Sequence, residues 1–326
     1  MAWGMLSRDR QRVNVRGTAM PAELNLLIGC TAVGKTEVAL RLAERDDAEI
    51  VSVDSMQVYR RMDIGTAKPG PEERRRVRHH LIDVVEPSES FSVGRFVELA
   101  DTAIADIAAR GKGVWVVGGT ALYIKALTEG LFDGPPADPE YRRAFRRRVA
   151  REGCPVLHAE LVAVDPAAAQ RIHPNDARRI ERALEVHHLT GKPISELQGE
   201  WDAGRTRYDC RMVVLARRRE DLNHRINARV RQMIDAGFVE EVRGLLTEPE
   251  PVSEQARQAL GYAEIIDHLS GGPDLDKTVE LIKIHTRRFA KSQRTWFRSF
   301  HDAHRIELAP DAAAEEVVEQ IDRHVR

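Results

Sequence analysis

Apolar residues along this chain fall into two rhythms. Short, nearly unbroken apolar runs at Leu24–Ile28, Ile50–Val53, Gly113–Val117 and Arg211–Ala216 have the length and branched content of buried strands. Between the second and third, Phe96, Val97, Ala100, Ile104 and Ile107 recur at helical spacing, which predicts a helix over 96–109. Strands alternating with helices predict an α/β fold on a parallel sheet. The rhythm changes at Asp133-Gly134-Pro135-Pro136-Ala137-Asp138-Pro139, a joint rich in breakers. From there to about Gly204 the patterns are helical only, at 141–151, 155–164 and 176–189. The last has Asn175 or Asp176 as its cap and stops at Gly191, with Pro193 beyond. Long helices are expected after the 211–216 strand, near 221–247, 254–269 and 276–298. The organisation expected is a basic disordered tail (1–22), an α/β core with C-terminal helices (23–136 and 205–326), and an all-helical insertion (137–204). The 211–216 strand is expected to rejoin the first sheet.

The first strand runs straight into Gly29-Cys30-Thr31-Ala32-Val33-Gly34-Lys35-Thr36, a complete G-x-x-x-x-G-K-[ST] loop, and an amphipathic helix follows it. In that setting consecutive backbone N–H groups and a helix N-terminus make a nest for a diphosphate or triphosphate. The fold class expected is therefore a P-loop NTPase-like parallel sheet with helices on both faces, plus the helical insertion. The second strand ends in Asp54-Ser55-Met56-Gln57, over the phosphate crevice. Three readings of Asp54 stand open there: a general base, a magnesium-organising carboxylate or a helix cap. The third strand ends in Gly118-Gly119-Thr120, where two glycines let a ligand approach the backbone. Thr120 suits an N-cap or a ligand hydroxyl. No acid follows that strand and no N-K-x-D motif occurs, which weighs against a GTPase switch.

Bulk properties narrow the class. The chain has 326 residues, 42% of them hydrophobic, and a net charge of −1, so contact with nucleic acid has to come from local patches. No apolar run approaches the ~18–20 residues of a membrane helix. Arg8, Arg10, Arg12 and Arg16 lack the apolar segment of a secretory signal, so residues 1–19 read as a tail, or as lying upstream of a true start at Met20. Three scattered cysteines fit a reducing cytoplasm and exclude a cysteine zinc site. His79 and His80 lack a third metal ligand nearby and read as structural. Arg225 and Arg229 share a helical face and could clamp a diphosphate. Arg178, Arg179 and Arg182 span about 100° of a helix. Lys283, Arg287, Lys291, Arg294 and Arg298 fall within about 80° of another, with Leu281, Phe289 and Trp296 facing away. Arg142, Arg143, Arg146 and Arg147 form a third basic patch. Such stripes suit a phosphate backbone.

The loop at 29–36, Asp54–Tyr59, Asp63–Pro69, His79–Asp83, Gly118–Thr120, Arg171-Ile172-His173-Pro174-Asn175-Asp176 and Ala290-Lys291-Ser292-Gln293-Arg294-Thr295-Trp296 together resemble the bacterial tRNA dimethylallyltransferase (tRNA isopentenyltransferase) family, from about residue 24 to 300. The resemblance implies transfer of a dimethylallyl group from dimethylallyl diphosphate to N6 of the adenine just 3′ of the anticodon. It implies Asp54 as general base and Thr120 as its partner near the reacting centre. It implies a diphosphate site at Gly29, Thr31, Ala32, Val33, Gly34, Lys35 and Thr36 with Arg225 and Arg229, Thr36 facing Mg²⁺. By the same likeness and the basic stripes, tRNA would meet Asp54, Ser55, Met56, Gln57, Thr120, Arg142, Arg178, Arg179, Ile180, Glu181, Arg182, Lys291, Arg294 and Arg298, and the helical insertion would grip it. Cys30 stands where the family usually has Pro, and Ser292 where it usually has Arg. The protein is expected to be a cytoplasmic monomer, with tRNA and the prenyl donor as partners and no membrane or stable protein partner. The rivals are a P-loop kinase of a small molecule, a cytokinin-type enzyme acting on free adenine nucleotide, and a non-catalytic nucleic-acid-binding module.

Overall fold

The computed structural model describes residues 23–131, 134–201 and 206–325; the segment read as a tail, 1–22, lies outside them. The described strands are β1 (Leu24–Gly29), β2 (Ala48–Val53), β3 (His79–His80), β4 (Gly113–Gly118), β5 (Cys210–Arg217) and β6 (His304–Leu308). They form one parallel sheet in the order β3-β2-β4-β1-β5-β6. Around it lie α1 (Lys35–Arg45), α2 (Pro71–Arg76), α3 (Val93–Ala109) and α4 (Ala121–Glu129). The helical insertion holds α5 (Pro139–Glu152), α6 (Cys154–Val164), α7 (Pro166–Arg171), α8 (Ala177–Thr190) and α9 (Ile194–Trp201). The C-terminal part holds α10 (Arg219–Asp235), α11 (Phe238–Leu246), α12 (Glu254–Arg257), α13 (Tyr262–Leu269), α14 (Leu275–Phe297) and α15 (Ala314–Val325).

Two compact units result. One takes residues 129–207; the other takes the described residues up to Thr128 and from Tyr208 onward. In the larger unit every residue of β2 is buried and β1 is buried at five of its six positions, because helices cover both faces of the sheet. The order places β4 between β1 and β2, so the chain must leave β1, pass over β4 and return at β2. That reversal opens a crevice at the carboxyl ends of β1, β4 and β2. In the smaller unit Phe145, Leu157, Leu161, Ile180, Leu184, Val186 and Ile194 form a separate core. Three of its helices start at acidic caps, Asp138 on α5, Asp165 on α7 and Asp176 on α8, while Gly191 ends α8 in the left-handed region.

Several expected elements divide or were missed. The helix expected over 221–247 breaks at Ala236-Gly237, where Gly237 takes φ 95°. The one expected over 254–269 is two helices separated by Gln258–Gly261. The expected run of helices to the end gives way to β6 and then α15. In β6 only Ile306 and Leu308 are buried, a strand pattern too short to stand out in sequence. β3 spans two residues, and only its pairing with Ile50 and Val51 makes it a strand.

Candidate active site

β1 delivers the phosphate loop. Gly29 packs so closely on β5 that a Cβ there would lie 2.8 Å from the Leu215 carbonyl oxygen. The loop then turns through Ala32 (φ 62°) and Gly34 (φ 108°) into α1, whose first turn has no side-chain cap. Lys35 folds back along the loop, its Nζ donating to the carbonyls of Gly29 (2.8 Å) and Cys30 (2.9 Å). Desolvation of the ammonium, only partly offset by neighbouring Cys30, lowers its pKa to about 8. Arginines buttress the loop from behind. Arg225 donates from Nε to the Ala32 carbonyl (3.0 Å), and Arg217, buried at the end of β5, donates to the Val33 carbonyl (2.9 Å). Arg217 is held in turn by Asp221 (2.8 Å) and the Ala309 carbonyl (2.6 Å). Sequence reasoning missed Arg217, although its place at the carboxyl end of a strand beside the loop was the signal that could have found it.

β2 and β4 supply the facing wall. Gly118 lies against β2 so tightly that a Cβ would fall 2.1 Å from the Val53 carbonyl oxygen. The amides of Gly119 and Thr120 both donate to that same oxygen (3.2 Å each). Thr120 Oγ1 accepts from the Ser55 amide (3.1 Å), which ties the end of β4 to the loop that carries Asp54. Asp54 Oδ1 accepts from the amides of Met56 (2.8 Å) and Gln57 (3.3 Å), and among the described residues Oδ2 has no hydrogen-bond partner. Asp54 thus caps its own turn with one oxygen and keeps the other available. The two walls meet through α14: Gln293 Oε1 accepts from the Thr31 amide (3.0 Å), and its Nε2 donates to the Gly119 carbonyl (2.8 Å).

A third wall is the loop 63–67. Its amides at Asp63, Ile64 and Gly65 donate to the carboxylate of Glu241, which also accepts from the Tyr262 hydroxyl (2.6 Å). A Cβ on Gly65 would strike the Phe238 ring at 2.2 Å. Lys68, almost fully buried, ties the loop to the Tyr59 carbonyl (2.7 Å) and Asp83 (2.7 Å). Glu241 carried no sequence signal, because its partners lie far along the chain, whereas Lys68 lies in the 63–69 motif but was given no role.

These walls enclose a cavity of about 350 Å³. Thr31, Ala32, Lys35, Thr36, Asp54, Ser55, Met56, Gln57, Thr120 and Arg229 all line it, with an apolar side that includes Val230, Met233, Phe238 and Phe289. Burial lowers the pKa of Arg229, opposed by the nearby Asp54 charge. Gly29, Val33 and Gly34 shape the loop without lining the cavity, and Arg225 supports the loop rather than facing the cavity beside Arg229. His80 pairs with Glu49 (2.6 Å) and His79 Nδ1 meets the Val77 carbonyl (2.8 Å). No group of three metal-ligating side chains occurs among the described residues.

The sites expected on the basic helices need correction. Ile180 is fully buried in the core of the helical unit, so its side chain cannot meet RNA. Glu185, also fully buried, accepts from Arg142 (2.8 Å), Arg182 (2.7 Å) and the Asp138 amide (2.9 Å). Arg142 and Arg182 therefore neutralise a buried carboxylate, a task the helical wheel does not show. Glu181 is mostly buried and faces Arg142 and Arg146 across 4.0 and 3.8 Å. Arg178 and Arg179 remain exposed. On α14, Lys283 is buried against Glu280 (2.6 Å) and Arg287 donates to Asn227 (2.8 Å), so the expected five-cation stripe shrinks to Lys291, Arg294 and Arg298. Phe289 and Trp296, expected on the face away from that stripe, are both exposed.

The sequence model described as IPP transferase matches residues 57–300. A tRNA dimethylallyltransferase of Geobacter metallireducens is 51% identical over 275 residues, covering 84% of this chain and 89% of the relative. That of Geobacillus thermodenitrificans is 44% identical over 310 residues, covering 94% and 97%. Among solved structures, the tRNA isopentenylpyrophosphate transferase of Bacillus halodurans superposes with a TM-score of 0.68 at 40% identity, covering 93% of this chain and 95% of the other. A eukaryotic dimethylallyltransferase acting on tRNA superposes with a TM-score of 0.73 at 30% identity, covering 87% and 73%.

Proposed function

The chain belongs to the IPP transferase family, and we propose that its cavity moves a dimethylallyl group from dimethylallyl diphosphate to N6 of the adenine 3′-adjacent to the anticodon of tRNA. Prenylation of tRNA is its activity. The observation that carries the atomic assignment is that a phosphate loop and an available carboxylate line one cavity. Lys35, Arg229 and the loop amides hold the diphosphate and stabilise the charge it gains as the allylic C–O bond breaks. The electron pair of that bond leaves with the diphosphate. The N6 lone pair forms the new C–N bond, and its proton passes to Asp54 Oδ2. Thr120 fixes the Asp54 loop through Ser55 and offers a hydroxyl beside the amine.

The donor set fits Mg²⁺, which favours oxygen ligands and needs no all-protein cage when substrate phosphates and water complete its shell. Thr36 would hold it together with the diphosphate, and the ion would add charge neutralisation at the leaving oxygens. Exposed Arg178 and Arg179 make the helical unit a second grip on tRNA. A monomer in a reducing cytoplasm suits the three free thiols.

Labelled dimethylallyl diphosphate with Mg²⁺ and tRNA, AMP or no acceptor tests the reading. Label in tRNA alone supports it, label in AMP selects a free-nucleotide enzyme, and ATP turnover without label selects a kinase. Asn at position 54 can still accept from the two loop amides but cannot take a proton. Asp54→Asn is therefore expected to lower kcat by roughly 10²–10⁴-fold with donor binding intact. Near-normal kcat would remove Asp54 from the role of base.

A further inference from the structure

As the C–O bond of the donor breaks and the C–N bond forms, the leaving oxygen, the allylic carbon and N6 lie roughly in line, so the rest of the prenyl chain projects sideways. α10 supplies an apolar path in that direction. Its residues Ile226, Arg229, Val230 and Met233 line the cavity and fall within about 100° of the helix. Arg229 stands at the diphosphate end, and Met233 lies about 6 Å further along the axis. The chain then turns at Gly237 (φ 95°), which brings Phe238, the first residue of α11, against the same cavity. Phe238 is only 1% exposed, and its ring is held on several sides. A Cβ on Gly65 would strike it, and a Cβ on Gly261 would lie 2.6 Å from its Cε1, so two loops press bare backbone onto the ring. Tyr262 meets it edge-on, the ring centres 4.9 Å apart at 78°, and is itself anchored on Glu241. The same carboxylate holds the Gly65 loop by its amides. The ring is a fixed wall.

We propose that Phe238 sets the length of the prenyl group this enzyme transfers, as the stop at the far end of the path along α10. The inference rests on the tRNA-prenylating reading and deepens it. An isoprene unit adds four bonds of ~1.5 Å, about 5 Å when extended. A first unit starting beside Arg229 ends level with Met233, and a second would need the space that the Phe238 ring fills. Met233 is unbranched and can fold around a five-carbon tail. The ring, packed against two backbones, cannot give way without strain. Without such a stop the longer donor would bind better, since each added carbon buries more apolar surface. Choice of the short donor therefore requires a steric block rather than a better contact.

The test uses the whole enzyme, tRNA and either dimethylallyl or geranyl diphosphate, and reads the ratio of kcat/KM for the two donors. Wild type is expected to favour the five-carbon donor by about a hundred-fold or more. Phe238→Ala takes away a phenyl ring, slightly more than the carbons of one isoprene unit. It is expected to shift the ratio toward the geranyl donor by about ten- to a hundred-fold. Phe238→Leu is expected to shift it less, and carries the test if the alanine variant does not fold. Val242→Ala, one turn further along α11 and buried outside the cavity, loosens the same helix and is expected to leave the ratio unchanged. A wild type that uses both donors alike, an unchanged ratio in the Phe238 variants, or an equal shift in Val242→Ala overturns the stop while leaving the prenylating reading intact. A wild-type enzyme that transfers neither donor to tRNA overturns both.

Discussion

Lys35 carries its charge into a site that strips away its water, and the loop carbonyls of Gly29 and Cys30 accept its hydrogen bonds. The lowered pKa, about 8, has a direct consequence for the donor. Below pH 8 the free enzyme already holds the proton that the diphosphate needs opposite it. Above pH 8 the proton is absent and must be taken up on binding. Donor affinity is thus expected to fall as pH rises through 8, by up to about ten-fold per unit. Calorimetry in buffers of different ionisation heat should find proton uptake near pH 9, and Lys35→Met should abolish it. Uptake that survives in the variant would assign the proton to another group. Arg217 belongs to this scale too, since its guanidinium holds the loop by one carbonyl and the β5–β6 end by others. Its role depends on a carbonyl 184 positions away in sequence, and its place at the end of a strand beside the loop is the one local hint of it.

Among the elements, α14 has the broadest task. One face fills the core through Ile282, Ala290 and Phe297, and one edge lines the cavity. Gln293 joins the phosphate loop to the Gly119 turn across the open ends of β1 and β4. Gln293→Ala would leave a mostly buried N–H and a buried carbonyl unpaired. It is expected to destabilise the fold by about 2 kcal/mol, read as a lower urea midpoint at unchanged slope. Gln293→Glu keeps the acceptor for Thr31 and should lose less at low pH, where the protonated acid can also donate to Gly119. Equal losses at every pH would mean that bulk at position 293, rather than its hydrogen bonds, holds the walls. The period of α14 was legible over 276–298, but its division into buried, lining and exposed arcs was not. Lys283 read as one cation of an exposed stripe, and packing buries it, while Phe289 and Trp296, read only as facing away from that stripe, stay exposed.

At the scale of the whole molecule, a net charge of −1 gives no general attraction for RNA, so affinity must come from cations left without partners. Removing one such contact should lower the slope of log affinity against log salt by about one. Lys291→Ala and Arg298→Ala are each expected to do so in tRNA-binding titrations, whereas Arg142→Ala, which uncovers the buried Glu185, is expected to lower the thermal stability of the protein. Unchanged salt slopes would return those cations to an ordinary solvated surface. The sequence by itself determined the features built from neighbours in the chain. Consecutive amides make the phosphate loop, a carboxylate ends a parallel strand at Asp54, and two glycines precede Thr120, so chemistry and spacing could be read together. The tertiary structure alone decided which cations stay free, which aromatics stay exposed, and which side chains hold the walls, as Arg217, Glu241 and Gln293 do. The physical reason is that burial and pairing depend on what folding brings opposite a residue, and for these residues the partner lies far away along the chain.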